Sequence, residues 1–245
     1  MKYQIYGTTL QTVDIQLAAG ESVYTESGGM AWMSGNMKMD TSTKGGLLKG
    51  IGRMLSGEGL FFTNYTCEAG IGVVTFATEF PGKIIPLKLA KDQSVICQKD
   101  AFLCAQEGVQ LDMHFRKQLG TGIFGGEGFI MQKVTGPGVA FMEIDGEVTE
   151  YDLKEGQTLQ VDTGHIALFE PTIKYDITRV KGFKNMLFSG EGVFLATLSG
   201  PGKVWLQSMP IKNLANKILK YLPHNTQGGG KTQGIFNVAD IFTRQ

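Results

Sequence analysis

The chain has 245 residues, no net charge at neutral pH, 42% hydrophobic side chains and only 19% charged ones. The even charge balance argues against a broad basic surface for nucleic acid. The apolar content is ample for a core, and an all-β chain of this length commonly stays one domain. Thirty-four glycines far exceed the roughly 7% of average usage, and without collagen-like spacing they read as turns and bulges. Cys67, Cys97 and Cys104 form no CxxC pair and are odd in number, so free thiols in a reducing compartment are expected.

The first residues, Met1 to Ile5, lead straight into strand-like alternation, with neither an apolar leader nor an Arg-rich presequence. No apolar run approaches the roughly 18 residues needed to span a bilayer. The expected location is therefore cytoplasmic, with peripheral membrane contact if a basic surface forms. Period-two alternation bounded by turn residues predicts strands over 11–17, 22–26, 29–33, 60–68, 73–77, 84–87, 94–98 and 102–105. It predicts further strands over 129–134, 139–144, 158–161, 166–169, 175–180, 193–198 and 203–207. A helix is predicted over 213–222, where Leu214, Ala215, Ile218, Leu219 and Leu222 fall at helical spacing before Pro223. Residues 225–245 read as a glycine-rich linker and an apolar tail containing Ile235, Phe236, Val238, Ile241 and Phe242.

Self-similarity organises these elements. Gly57-Glu58-Gly59, Gly126-Glu127-Gly128 and Gly190-Glu191-Gly192 lie 69 and then 64 residues apart, each followed by a second glycine pair at Gly70/Gly72, Gly136/Gly138 and Gly200/Gly202. Upstream, Leu17, Leu89 and Leu153 end similar five-residue stretches, spaced by 72 and 64. Ser22-Val23-Tyr24, Ser94-Val95-Ile96 and Thr158-Leu159-Gln160 follow at the same offsets, and so do Met30-Ala31-Trp32, Phe102-Leu103-Cys104 and Ile166-Ala167-Leu168. A long internal period means one supersecondary unit used several times. The expected fold is all-β: three repeated modules, about 1–80, 81–145 and 146–210, in a pseudo-threefold double-stranded β-helix or sandwich arrangement with a short C-terminal helix. Residues 1–224 would form this one domain.

Few segments carry recognisable chemistry. Gly120-Thr121-Gly122-Ile123-Phe124-Gly125 matches GxGxxG, but a dinucleotide site needs a βαβ unit around that motif, and a repeat-defined strand follows it here. Ser199 to Lys203 lacks the Walker spacing. His114, His165 and His224 are too dispersed for the HxH set of a cupin metal site; His165 falls in a predicted strand and reads as structural. No GxSxG elbow or Cys/His signature is present. No catalytic residue, cofactor or metal is assigned.

The repeated acids Glu58, Glu127 and Glu191 admit two readings: convergence on one ligand, or acceptance of backbone N–H groups in glycine turns. A fold built by repetition favours the second. Each is preceded by a basic, partly amphipathic piece carrying Lys49 and Arg53, Arg116 and Lys117, or Lys181 and Lys184. Such pieces either cover the sheet as short helical crossovers or offer a candidate surface to a protein partner or an anionic membrane.

The basic piece before Ser56-Gly57-Glu58-Gly59-Leu60-Phe61, the stretch from Val73 to Pro86, the Gly136-Pro137-Gly138 and Gly200-Pro201-Gly202 turns and Ser27-Gly28-Gly29-Met30 resemble bacterial members of one family. That family was long catalogued as a domain of unknown function, and its mitochondrial relatives are named for altered inheritance of mitochondria. The resemblance runs from about Tyr3 to Leu214. It implies a β fold similar to the tryptophan RNA-binding attenuator protein and, for the mitochondrial relatives, a role in organelle biogenesis and inner-membrane organisation. RNA binding itself belongs to the fold analogy and does not transfer.

The expectation is a non-enzymatic scaffold presenting a repeated surface; the alternative is a small-ligand binder or enzyme with a pocket between modules. Self-association into a homo-oligomer, a trimer among the candidates, is expected from an apolar tail able to cover a strand edge on a neighbour.

Overall fold

A computed structural model describes residues 1–26, 28–42, 62–117, 129–179, 194–219 and 221. The described chain is all-β with one short helix. After β1 (Lys2–Tyr6) come three sets of six strands. The first set is β2 (Thr12–Ala18), β3 (Ser22–Thr25), β4 (Met30–Met33), β5 (Met37–Ser42), β6 (Phe62–Cys67) and β7 (Ile71–Ala77). The second is β8 (Gly82–Leu89), β9 (Ser94–Gln98), β10 (Phe102–Gln106), β11 (Gln110–Lys117), β12 (Phe129–Thr135) and β13 (Gly138–Asp145). The third is β14 (Val148–Leu153), β15 (Thr158–Asp162), β16 (Ile166–Phe169), β17 (Lys174–Arg179), β18 (Phe194–Ser199) and β19 (Gly202–Gln207).

Four antiparallel pairings recur in every set. The first strand pairs with the sixth, as in β2–β7, β8–β13 and β14–β19. The third strand pairs with the sixth, as in β4–β7, β10–β13 and β16–β19. The fifth strand takes the second on one side and the fourth on the other. The third strand slips register at the same place each time, between Met30 and Trp32, Phe102 and Cys104, and Ile166 and Leu168. A β-bulge inserts one unpaired residue at such a point.

Successive sets join edge to edge through β3–β10, with Tyr24 opposite Ala105, and through β9–β16, with Ile96 opposite Phe169. Four sheets result: β1-β2-β7-β4, β5-β6-β3-β10-β13-β8, β11-β12-β9-β16-β19-β14 and β15-β18-β17. Side chains alternate across a strand, so the two faces of a sheet feed different cores. Val23 packs with Ile15 and Phe76 between the first and second sheets. Its neighbour Tyr24 packs with Cys97 and Leu168 between the second and third. Ile96 packs with Val161 and Leu198 between the third and fourth. The sheets therefore stack in chain order, and the middle two are buried on both faces. Tyr24 is wholly buried because its hydroxyl donates to the Val109 carbonyl, at 3.0 Å.

The turn after each first strand is held in one way. Glu21, Gln93 and Gln157 accept the backbone N–H of Ala18, Ala90 and Lys154 at 2.8, 3.0 and 2.8 Å. Gly136 and Gly200 sit where a Cβ would run into the carbonyls of Leu89 and Ala90, or of Leu153 and Lys154. Both glycines precede prolines through cis peptide bonds.

Four sequence expectations change. Strands β5, β11 and β14 exist where alternation did not register. The stretch through Phe115, Arg116 and Lys117 is not a helical crossover but the end of β11, paired to β12 from Gln110 to Lys117. Phe115 turns toward the third core, edge-on to Tyr175 at 5.3 Å, and a strand achieves this without helical periodicity. His165 lies in a one-turn 3-10 helix, Thr163–His165, rather than in a strand. Helix α1 (Ile211–Leu219) starts two residues before the predicted position, because the Asp145 carboxylate accepts the Ile211 N–H at 2.9 Å. That tertiary cap satisfies a donor the helix itself leaves open.

Phe141 is fully buried and meets Tyr3 edge-on at 5.0 Å, tying β1 to the second sheet. Phe141→Ala is expected to cost about 3–5 kcal/mol, the range for a large aromatic removed from a packed core. Urea unfolding monitored by circular dichroism measures this, and a loss below about 1 kcal/mol would contradict the packing described.

Candidate interaction surface and buried carboxylates

The residues singled out from sequence fall mostly outside the described segments: Glu58, Glu127, Glu191, Lys49, Arg53, Lys181 and Lys184 all do, as does the GxGxxG stretch. Arg116 is exposed on β11, and Lys117 is the last residue of that strand. The three cysteines are free and buried. Burial pushes the thiols of Cys97 and Cys104 far above their ordinary range, which suits inert core residues rather than nucleophiles. Among the described residues no group of His, Cys, Asp and Glu is placed to hold a metal ion.

Strand β13 contributes the most perturbed acid, Glu143, which is only 8% exposed. Burial raises its carboxyl to about 7, against the lowering effect of backbone N–H groups at Phe80 and Glu79; the charges of Asp145 and Glu79 raise it further. Its Oε1 accepts the Phe80 N–H at 3.2 Å. Asp145, two residues on, is also raised chiefly by burial, while its bond from Ile211 lowers it.

The third set shows what this arrangement does. Glu143 lies opposite Ile84, and Gln207 lies opposite Val148 at the matching point of β19. Gln207 Oε1 accepts the Asp145 N–H at 3.2 Å and its Nε2 donates to the Gly164 carbonyl at 2.8 Å. Both side chains thus hold the backbone that leads out of the preceding set, one as a carboxyl and one as an amide. Because a neutral amide does the same work, Glu143 is a structural acceptor. His165 belongs to the same tie: its Nδ1 is 2.7 Å from the Gln207 carbonyl and its Nε2 is 3.4 Å from Asn213 Nδ2.

Two surface grooves lie among the described residues. One, of about 420 Å³, is lined by Leu17, Glu21, Gln106, Glu107 and Pro137 where the first two sets meet. The other, of about 370 Å³, is lined by Tyr151, Leu159, Val161, Asp162, His165 and Leu206 along β15. Neither is lined by Glu143 or Asp145, the two carboxyls that burial raises; the first does include Glu21, whose carboxyl is lowered chiefly by the bond from the Ala18 N–H. Large apolar side chains instead point outward from the first sheet and its approach, at Tyr6, Leu10, Trp32, Met33 and Ile71. Sequence reading passed over Glu143 and these exposed residues. The one charged residue inside Ala140-Phe141-Met142-Glu143-Ile144 was an available signal; the exposure of Trp32 was not.

Over residues 3–209 the chain matches the family model described as Mitochondrial biogenesis AIM24. The chain belongs to that family. An uncharacterised protein of Streptococcus pyogenes serotype M6 is 32% identical over 219 residues, covering 86% of each chain. A crystal structure of a Streptococcus pyogenes protein superposes with a TM-score of 0.74 at 28% identity, covering 90% of this chain and 99% of that one. Among the described residues, no helix is long and apolar enough to cross a membrane.

The buried acid predicts a pH signature. With a folded pKa near 7 against an ordinary 4.5, Glu143 leaves stability intact below about pH 4.5 and removes it as pH rises through 7. Glu143→Gln is expected to fold and to lose that decline, gaining on the order of 2 kcal/mol over wild type at pH 8 relative to pH 4.5. Urea midpoints at the two pH values check this; parallel pH profiles for both proteins would refute it.

Proposed function

We propose that this AIM24-family protein is a non-enzymatic scaffold, built from three copies of one β module and presenting its outer surface to a protein partner or an anionic membrane. The observation that carries this reading is the direction of its side chains. Glu143 and Asp145, the carboxyls that burial raises, are spent on backbone N–H groups, whereas Trp32, Ile71 and Leu10 are exposed at 56%, 73% and 63%. Large apolar side chains that remain in water are what an interaction surface needs. The family description, mitochondrial biogenesis, suits an organising role better than a catalytic one. A small-ligand binder is the second reading, favoured by two grooves whose volumes fall within the roughly 300–1,000 Å³ of small-molecule sites.

For the membrane form, the basic residues supply the attraction, at about 1 kcal/mol per Lys or Arg near an anionic surface. Wild-type protein is expected to sediment with vesicles containing phosphatidylserine at low salt and to be released at high salt, since exposed charges are screened over about 10 Å at 0.1 M. Replacing Lys49, Arg53, Arg116, Lys117, Lys181 and Lys184 by glutamine is expected to abolish sedimentation. A wild type that ignores these vesicles at low salt would leave a protein partner as the scaffold's target.

A further inference from the structure

The outer edges of β4 and β15 do not behave like their counterparts. In the first set the second strand, β3, is covered by the third strand of the next set, β10; in the second set β9 is covered by β16. One second-position strand, β15, and one third-position strand, β4, remain. Each ends its sheet with no strand beyond it among the described residues. Joined side by side they would give the order β17-β18-β15-β4-β7-β2-β1, in which the first six strands have the same sequence of positions as the two complete six-stranded sheets and β1 is added at the edge.

The side chains at these two edges match a missing cover. Cys104 and Leu168, at equal places just past the bulges of β10 and β16, are 0% and 1% exposed. Trp32, at the same place in β4, is 56% exposed. On the other side, Ile15 of β2 is fully buried, while Tyr151, in the same position of β14, is 42% exposed along the groove beside β15. Neither edge carries a lysine or a proline: β4 is Met30-Ala31-Trp32-Met33, and the one charge of β15 (Thr158–Asp162), Asp162 at its end, accepts the Gly164 N–H.

The chain cannot close on itself here. The first and fourth sheets lie at opposite ends of the stack. With face-to-face spacings of about 10 Å, three interfaces put them on the order of 30 Å apart, far beyond the roughly 4.8 Å between paired strands.

We propose that β15 of one molecule pairs antiparallel with β4 of a second copy of this chain, completing between molecules a third sheet of the same strand order, with β1 added at its edge. The register follows from the two internal joints. Ile96 opposite Phe169 and Cys97 opposite Leu168 translate, at the matching positions, into Gln160 opposite Met33 and Val161 opposite Trp32. The contact is heterologous, each molecule offering β4 on one side and β15 on the other, so association repeats until a ring closes. The inference rests on strand pairing and is independent of the scaffold reading.

Light scattering coupled to gel filtration, on the full chain at micromolar concentration in reducing buffer, is expected to give a multiple of 26.7 kDa. The double substitution Trp32→Lys and Met33→Lys is expected to return the mass to one chain with an unchanged circular dichroism spectrum, since both side chains are exposed within a single molecule. Opposed residues in an antiparallel pair have Cα atoms about 4.5–5.5 Å apart, within the span of a disulfide. A chain carrying Gln160→Cys and Met33→Cys is therefore expected to cross-link between molecules on oxidation. Gln160→Cys with Trp32→Cys, one residue out of register, is expected not to. A wild type that runs as a single chain overturns the proposal. So does a multimer that survives the lysines and cross-links equally in both registers.

Discussion

The pairing of Tyr24 with Ala105 and of Ile96 with Phe169 is the constraint on which the architecture depends. Joining sets edge to edge puts half of one set and half of the next into a single sheet, and that sheet must then pack on both faces. Strands β3, β9, β10 and β16 are accordingly apolar on successive residues, not only on alternate ones: Phe102-Leu103-Cys104-Ala105 is buried throughout. A strand buried on both faces reads as a continuous apolar run. The three cores are consequences of this arrangement, each lying between sheets that share a set.

Polar groups in such a stack have to be consumed where they stand. Thr25 donates to the Leu103 carbonyl at 2.7 Å and Tyr24 to that of Val109, both across the first joint. Gln132 reaches Glu26 at 2.8 Å across the same pair of sets. Glu143 and Gln207 fasten the links between sets, while Asp145 ties α1 to the second set and His165 ties it to the third. The protein's unusual titratable groups are therefore explained by assembly of the fold.

What is left for function is the outside. The end sheets have one packed face and one free face, and at the β4 edge Met30-Ala31-Trp32-Met33 is apolar throughout. A module that repeats by pairing one strand type with another leaves one unpaired strand of each type at its two ends. Charged or proline-containing edges would have stopped the repetition there. Trp32 and Met33 on one end and Tyr151 beside the other leave it open. An organising protein that assembles through its own sheet edges would keep its remaining faces for partners.

Much of this was legible in the residues. Spacings of 72 and 64 aligned Met30-Ala31-Trp32 with Phe102-Leu103-Cys104 and Ile166-Ala167-Leu168, the segments that carry the three bulges, because turn glycines and alternating apolar residues are local demands of a strand and its hairpin. Strands β9 and β16 were placed to the residue for the same reason. Strand β11 was missed because its neighbours in sequence suggested a crossover, and only pairing with β12 makes Gln110–Lys117 extended. The start of α1 depended on Asp145, 66 residues upstream, which no local cap signal contains. The sequence by itself determined most of the strands and the recurrence of the segments that carry the bulges, since both follow from side-chain pattern. Only the tertiary structure decided which strands join sets, which carboxylates are buried and that Trp32 is left in water, because those depend on contacts between residues far apart in the chain.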